Sequence, residues 1–224
     1  MKDYKKLREE FIEILRTNVN RDPDAVEDLI NYLDNCEFFT SPASTKYHGS
    51  YCGGLVQHSL DVYYSLIDEL EFIYGKNWER RYSLESVTIV ALLHDLCKIG
   101  KYVLGTRNVK DPETGKWNEV SVYNYNNDSF KMGHGSQSLY IVTKYFVLDD
   151  FEAQAIYWHM GAYDLGNYNT VGDLSVAYER NMLAFALHRA DMIATYVVDN
   201  KYFEPIPLKE KTSQKKKKIR KKED

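Results

Sequence analysis

Six histidines occur in the chain, His48, His58, His94, His134, His159 and His188, and four of them lie within or at the ends of segments with helical patterning. The pair His94-Asp95 is the most informative. It follows the apolar run Ile89 to Leu93, so a helix carries an imidazole and a carboxylate out of the core side by side. Leaving both without partners is costly, because buried polar and charged groups lose their water. A divalent cation satisfies the imidazole nitrogen and the carboxylate together. A His-Asp dipeptide alone is weak evidence, since an ordinary hydrogen-bonded pair reads the same way. His58, in Gly53-Gly-Leu-Val-Gln-His58, precedes it by one helix-turn-helix length, and Asp191, in His188-Arg-Ala-Asp191, lies far downstream. His58, His94, Asp95 and Asp191 form a set of two imidazoles and two carboxylates from three helices. Such mixed nitrogen and oxygen ligation suits a six-coordinate metal with positions open to water.

The elements that must position these residues are mostly helical. Residues 4–19 place Leu7, Phe11, Ile14 and Leu15 at helical spacing, and Asp22-Pro23-Asp24 supplies a cap and a first-turn proline for a helix to about Asn35. A polar loop after Phe38-Phe39-Thr40-Ser41-Pro42 reaches Gly53-Gly54. From Leu55 to about Tyr74 the apolar residues Leu60, Val62, Tyr63, Leu66, Ile67 and Leu70 mark a long helix. Ser83 reads as the cap of another, running to about Gly100. Residues 101–125 differ: Lys101-Tyr-Val-Leu and Glu119-Val-Ser-Val-Tyr flank the turn Asp111-Pro-Glu-Thr-Gly115, which predicts a β-hairpin. Helical patterns return at about 134–147, 149–160 and 174–198. The last contains Met182-Leu-Ala-Phe-Ala-Leu187 and is expected to be the central, most buried helix.

Composition sets the broad class. The chain has 224 residues, 44% hydrophobic and 28% charged, enough for one large domain with a real core. No run approaches a membrane span, and Met1-Lys-Asp-Tyr-Lys-Lys leads into Glu-rich sequence rather than an apolar signal region. Cys36, Cys52 and Cys97 are odd in number and widely spaced, which fits free thiols and a reducing, cytoplasmic location. Residues 209–224 hold nine Lys/Arg against three Asp/Glu, so the remaining 208 residues, with 20 basic and 30 acidic groups, carry −10. An acidic body is a poor partner for duplex DNA. The basic tail is expected to be disordered, with at most weak nucleic-acid binding.

On these motifs the sequence resembles the HD-domain metal-dependent phosphohydrolases, whose pattern is a His, then His-Asp, then a late Asp on the last core helix. The matching stretches are Gly-Gly-Leu-Val-Gln-His58-Ser-Leu, Leu-Leu-His94-Asp95-Leu-Cys-Lys98-Ile and Leu-His188-Arg-Ala-Asp191. They fall within residues 38–198, and Phe39-Thr-Ser-Pro-Ala-Ser-Thr-Lys-Tyr-His-Gly is similar to small HD proteins of Firmicutes and their phages. The resemblance implies an all-α HD-type bundle with a small β-hairpin insertion after the HD helix. It divides the chain into N-terminal helices (1–37) packing on the core, a phosphohydrolase domain (38–205) and a basic tail (206–224). It implies one or two divalent ions (Mn, Fe, Ni, Co, Mg or Zn). Binuclear relatives draw a second set of ligands from a Gly-His and a later His or His-His, here Gly133-His134 and Trp158-His159-Met160, with Met160 where a second His would stand. Asp95 would bridge, and His134 and His159 would complete the second ion.

A bound divalent ion lowers the pKa of its water toward neutrality, and a pair of ions also neutralises phosphoryl oxygens during in-line attack. Lys98 shares the helical face of His94 and Asp95, and in the family the matching lysine contacts a non-bridging phosphate oxygen; a surface lysine favoured by the helix dipole is the alternative. His188 either orients Asp191, contacts substrate or is a hydrogen-bonded core histidine. His48 either touches the leaving group or is structural. The expected activity is hydrolysis of a phosphoester of a nucleotide, cyclic nucleotide or short oligonucleotide. The alternatives are a (deoxy)nucleotide phosphomonoesterase or triphosphohydrolase, and a nucleotide-sequestering protein with little turnover. No nucleophile elbow, P-loop or dinucleotide fingerprint is present.

Overall fold

Short polar side chains begin the helices. In the computed structural model, which describes residues 3–165 and 171–199, Asp3 caps α1 (Tyr4–Asn18) and Asp22 caps α2 (Pro23–Asn35), whose first residue is the expected proline. Ser83 caps α4 (Leu84–Leu93), and Asp149 with Glu152 forms a capping box at α6 (Asp150–Trp158). The long α3 (Gly54–Tyr74) starts without a side-chain cap. Its first turn is instead pressed against the preceding loop: a Cβ on Gly54 would lie 1.9 Å from the Gly49 carbonyl oxygen, so only glycine fits there. The remaining helices are α5 (His134–Val142), α7 (Val171–Arg180) and α8 (Met182–Ile193).

The described chain is thus mostly helical, with one small antiparallel sheet made of β1 (Tyr102–Lys110) and β2 (Trp117–Tyr125). Register runs from Tyr102 opposite Tyr125 to Lys110 opposite Trp117, closed by the turn at Asp111–Gly115. The hairpin stands away from the core and is exposed along most of its length. Helix α3 packs against α4 and α8, and α6 packs against α5 and α8. Leu60, Leu66 and Leu70 of α3 meet Ile89, Leu92 and Leu93 of α4 and Leu183 and Leu187 of α8 in one core. The N-terminal helices add Phe11, Leu15, Leu29 and Leu33 to it. Asn18 ties three helices together by donating to Tyr63 Oη and Thr88 Oγ1.

Four expectations are corrected. The helix from Ser83 ends at Leu93 rather than near Gly100; His94 closes it, and Leu96–Lys98 form a separate 3-10 turn. The pattern over 174–198 is two helices, because Asn181 is extended and its side-chain oxygen accepts from the amides of Leu183 and Ala184, starting α8 afresh. The most enclosed segments are α4, buried from Val87 to Leu93, and the first turns of α3, buried from Gly54 to Leu60; α8 is buried on one face only. The pattern at 134–147 is helical only to Val142 and continues as turns.

All three cysteines are free thiols. No described helix is long and apolar enough to cross a membrane. The basic tail, 206–224, lies outside the described residues.

One ion pair fastens the N-terminal layer to the rest. Arg21, between α1 and α2, makes two hydrogen bonds to Glu152, at 2.6 and 2.8 Å, and the Glu152 side chain is 1% exposed. Burial pushes the Glu152 carboxyl up, but the Arg21 guanidinium, with hydrogen bonds from Ser86 and the Asp149 amide, outweighs this, and the net shift is downward. Glu152→Gln leaves Arg21 without that partner and is expected to cost about 3 kcal/mol in urea unfolding at neutral pH. Because the folded-state pKa is depressed, the difference from wild type is full above the ordinary value of 4.5. It should vanish as pH falls through the folded value. A difference that does not change with pH would show that the ion pair is not its source.

Candidate metal centre

Two helix ends use the same device to present an imidazole. His94 follows the last residue of α4 and donates from Nδ1 to the Ala91 carbonyl at 2.7 Å. His159 follows the last residue of α6 and donates from Nδ1 to the Ile156 carbonyl, also at 2.7 Å. A carbonyl oxygen only accepts, so each Nδ1 carries the proton and each Nε2 presents a lone pair. Both side chains are fully buried, and neither Nε2 has a hydrogen-bond partner. His58, in the second turn of α3, likewise buries an Nε2 without a hydrogen bond of acceptable angle, although Asp191 Oδ1 lies 3.1 Å away.

All three nitrogens converge on Asp95. Its Oδ2 lies 3.5 Å from His58 Nε2 and 3.5 Å from His94 Nε2, and its Oδ1 lies 3.7 Å from His159 Nε2. His134, the first residue of α5, approaches Oδ1 at 2.6 Å through Nε2. Its Nδ1 faces the Lys101 ammonium at 3.5 Å and must accept there, so Nε2 donates to Asp95. Close backbone approach makes this possible: a Cβ on Gly135 would lie 2.0 Å from the Tyr157 carbonyl oxygen, so α5 reaches α6 only with glycine at that position. The structure therefore gathers His58, His94, Asp95, His134, His159 and Asp191 around one carboxylate.

Lys98 reaches the same carboxylate by a route other than the one expected. On the 3-10 turn, residues three apart eclipse, and Lys98 Nζ sits 2.6 Å from Asp95 Oδ2 in a buried contact. Burial opposes its charge, but Asp95 and Asp191 outweigh that, and the net pKa shift is upward. Burial likewise opposes ionisation of Asp95, yet Lys98, His94 and His134 hold its pKa well below the ordinary range. For Asp191, burial is outweighed by the neighbouring His58, and the net shift is downward. His58, lowered by burial and raised by Asp191 and Asp95, ends at about 9. Burial lowers His94, and it takes His134 to about 4. Both carboxylates are thus anionic.

The residues fit a divalent cation. The buried Nε2 atoms of His58, His94 and His159, gathered without hydrogen-bond partners on a buried carboxylate, are a costly arrangement for the polypeptide alone. An ion accepting from all of them removes that cost. One ligand atom from each of His58, His94 and Asp95 lies within 4.8 Å of the others, and the same holds for His94, His159 and Asp191 and for Asp95, Cys97 and His134. The two oxygens of Asp95 face different partners, His58, His94 and Lys98 on one side and His134 and His159 on the other. Cys97 is a weaker candidate, because burial pushes its thiol up to about 12, away from the thiolate that ligates.

A cavity of about 260 Å³ opens over this cluster, with Lys98, His134 and Asp191 in its lining. His48 lines it as well; its Nε2 is buried without a partner and its ring lies 5.0 Å from that of His58. Burial lowers the His48 pKa to about 3, so it is neutral here. His188 lines the cavity and donates from Nδ1 to the His159 carbonyl at 2.6 Å, bracing the end of α6 against α8. Met160 faces the cavity. Sequence reasoning missed Lys101, beside His134, and the tyrosine pair Tyr102 and Tyr125 at the hairpin base, whose rings are 5.4 Å apart. The only available signal was Lys101 standing three residues after Lys98.

No family model matches the chain, and no solved structure matches it. Over 100 residues, 43% of its length, the chain is 32% identical to the dihydroneopterin 2',3'-cyclic phosphate phosphodiesterase of Methanocaldococcus jannaschii. The chain covers 36% of that protein, about a third of the length of the curated relative.

Metal addition offers a direct check on the cluster. Mn²⁺ titrated into chelator-treated protein is expected to raise the unfolding temperature, corresponding to about 2.7 kcal/mol at a hundred times the Kd. His94→Ala and Asp95→Ala should each remove the increase. An unfolding temperature unmoved by Mn²⁺, Fe²⁺, Co²⁺, Ni²⁺, Zn²⁺ and Mg²⁺ alike would sink the metal reading.

Proposed function

We propose that the protein is a metal-dependent phosphoester hydrolase of the HD type, acting on a phosphodiester or cyclic phosphate of a nucleotide-like compound. His58, His94, Asp95 and Asp191 would hold one divalent ion, and His134 and His159, with Asp95 shared, a second. The single observation that carries this reading is the convergence of three orphaned, buried imidazole nitrogens on an anionic carboxylate. The sequence resemblance and the cyclic-phosphate phosphodiesterase relative favour phosphoester chemistry over other metal-dependent hydrolysis.

When bound, such ions supply Lewis acidity at the phosphoryl oxygens and a water acidic enough to attack at neutral pH. The chain's own residues do the rest. Lys98 stays protonated and, anchored to Asp95 Oδ2, can turn a remaining N–H toward a non-bridging phosphate oxygen in the cavity. Lys101 lines the same cavity and adds a second positive charge beside His134. Asp95 and Asp191 remain deprotonated and do not compete for the proton of the attacking water. His188 keeps the His159 main chain in place. Tyr102 and Tyr125 form the wall contributed by the hairpin and narrow the cavity around the ester group.

The test is elemental analysis of the purified protein followed by a screen of cyclic mononucleotides, dinucleotides, nucleoside monophosphates and triphosphates with Mn²⁺ or Co²⁺. Hydrolysis of phosphodiesters or cyclic phosphates is expected, abolished by chelation and by Asp95→Ala. Lys98→Ala should lower kcat by about a hundredfold, the usual loss for one donor to developing charge. Turnover of monoesters or triphosphates alone would move the substrate class. Tight nucleotide retention without product, or activity retained in Asp95→Ala, would overturn the mechanism.

A further inference from the structure

A second cavity, of about 510 Å³, lies between the hairpin and the loop before α3, lined by Thr45, Lys46, Tyr47, Arg107, Tyr123 and Tyr125 among others. It adjoins the cavity over Asp95. Tyr125 lines both, and Ser44 of the first cavity is the chain neighbour of Thr45 of the second. The two compartments therefore share a wall at the hairpin base and a rim along residues 44–45.

The second compartment has a different chemical character. Its lining contains two cationic side chains, three phenol rings and no carboxylate, in a body that is net acidic through residue 208. Lys46 Nζ sits 5.4 Å from the centroid of the Tyr47 ring. The Tyr47 and Tyr125 side chains are 74% and 62% exposed, so core packing does not explain them. Cations that hold phosphate beside aromatic faces that stack bases are the combination used for single-stranded nucleic acid, and the stacking tolerates any base. A duplex hides its base faces and offers nothing to such rings.

Resting on the phosphoester reading of the first cavity, we propose that the second cavity is a subsite for the neighbouring nucleotide. The preferred substrate is then a dinucleotide or longer single strand rather than an isolated mononucleotide. Its scissile phosphate sits over Asp95, the adjoining base stacks on Tyr125 or Tyr123, and the next phosphate meets Arg107 and Lys46. The reaction remains hydrolysis: water adds at phosphorus, the bond from phosphorus to the departing ribose oxygen breaks, and that oxygen leaves with one of the water's protons.

Two measurements test this on the full chain. The first compares kcat/KM for a 2',3'-cyclic mononucleotide with that for a dinucleotide bearing the same cyclic end, under Mn²⁺. Wild type should prefer the dinucleotide, and Arg107→Glu should reduce that preference about tenfold, the loss expected for 1.4 kcal/mol of binding. The second follows fluorescence anisotropy of a labelled single-stranded trinucleotide against salt. Wild type should bind it more tightly than a blunt-ended hairpin duplex, and Arg107→Glu should lower the salt slope by about 1. Equal kcat/KM for the two substrates, equal affinity for duplex, or a salt slope unchanged in the variant would each overturn the subsite. If no phosphoester is turned over but the trinucleotide binds with the Arg107-dependent slope, the hydrolase reading fails and the subsite stands.

Discussion

A carboxylate buried at the meeting point of four helix ends is the constraint around which this molecule is arranged. Asp95 has almost no contact with solvent, and its two oxygens are approached by four imidazoles and one ammonium drawn from elements far apart in sequence. Such a group is costly to bury and worth burying only if its surroundings are held in place. The rest of the fold can be read as the apparatus that holds them. Helices α4 and α6 end one residue short of a histidine, and each histidine is locked by a hydrogen bond to the turn behind it. Fixing the proton on Nδ1 leaves the lone pair of Nε2 aimed inward, which is a matter of tautomer as much as of position.

The backbone supports this with close approaches that tolerate no side chain. Gly54 lets the His48 loop settle on the start of α3, and Gly135 lets α5 reach the end of α6. These contacts bring His58 and His134 to the same carboxylate from opposite ends of the sequence order. The apolar layers then hold the helices that carry these histidines. Val87 to Leu93 are buried without interruption immediately before His94, so the polar pair emerges from a fully enclosed, close-packed segment rather than from a loop. Close packing there is what a preorganised site requires.

Over the cluster, the hairpin plays a different part. Its strands are exposed on both faces for most of their length, and a lone two-stranded ribbon contributes little stability of its own. Its base, where Tyr102 pairs with Tyr125, closes one side of the cavity above Asp95 and separates it from the neighbouring basic, aromatic compartment. The helices thus surround the Asp95 carboxylate, while the insertion and the Lys46–Tyr47 loop shape the compartment that extends away from it.

Much of this was legible in the residues. Caps at Asp22, Ser83 and Asp149 act locally, so helix starts could be read within one or two positions, and the Asp111–Gly115 turn announced the hairpin. The residue types that gather at the cluster were also visible, because histidine and aspartate beside a long apolar run are conspicuous in any sequence. Helix ends were not. The stop after Leu93 and the restart at Asn181 depend on side chains competing with backbone bonds, which periodicity does not register. Distances, tautomers and the orphaned nitrogens belong wholly to the tertiary structure, since they arise only when residues as far apart as His58 and Asp191 share one space. The second compartment was equally invisible: Lys46, Tyr47, Arg107 and Tyr123 sit in unrelated stretches of chain, and only packing the hairpin beside the loop turns them into a single surface.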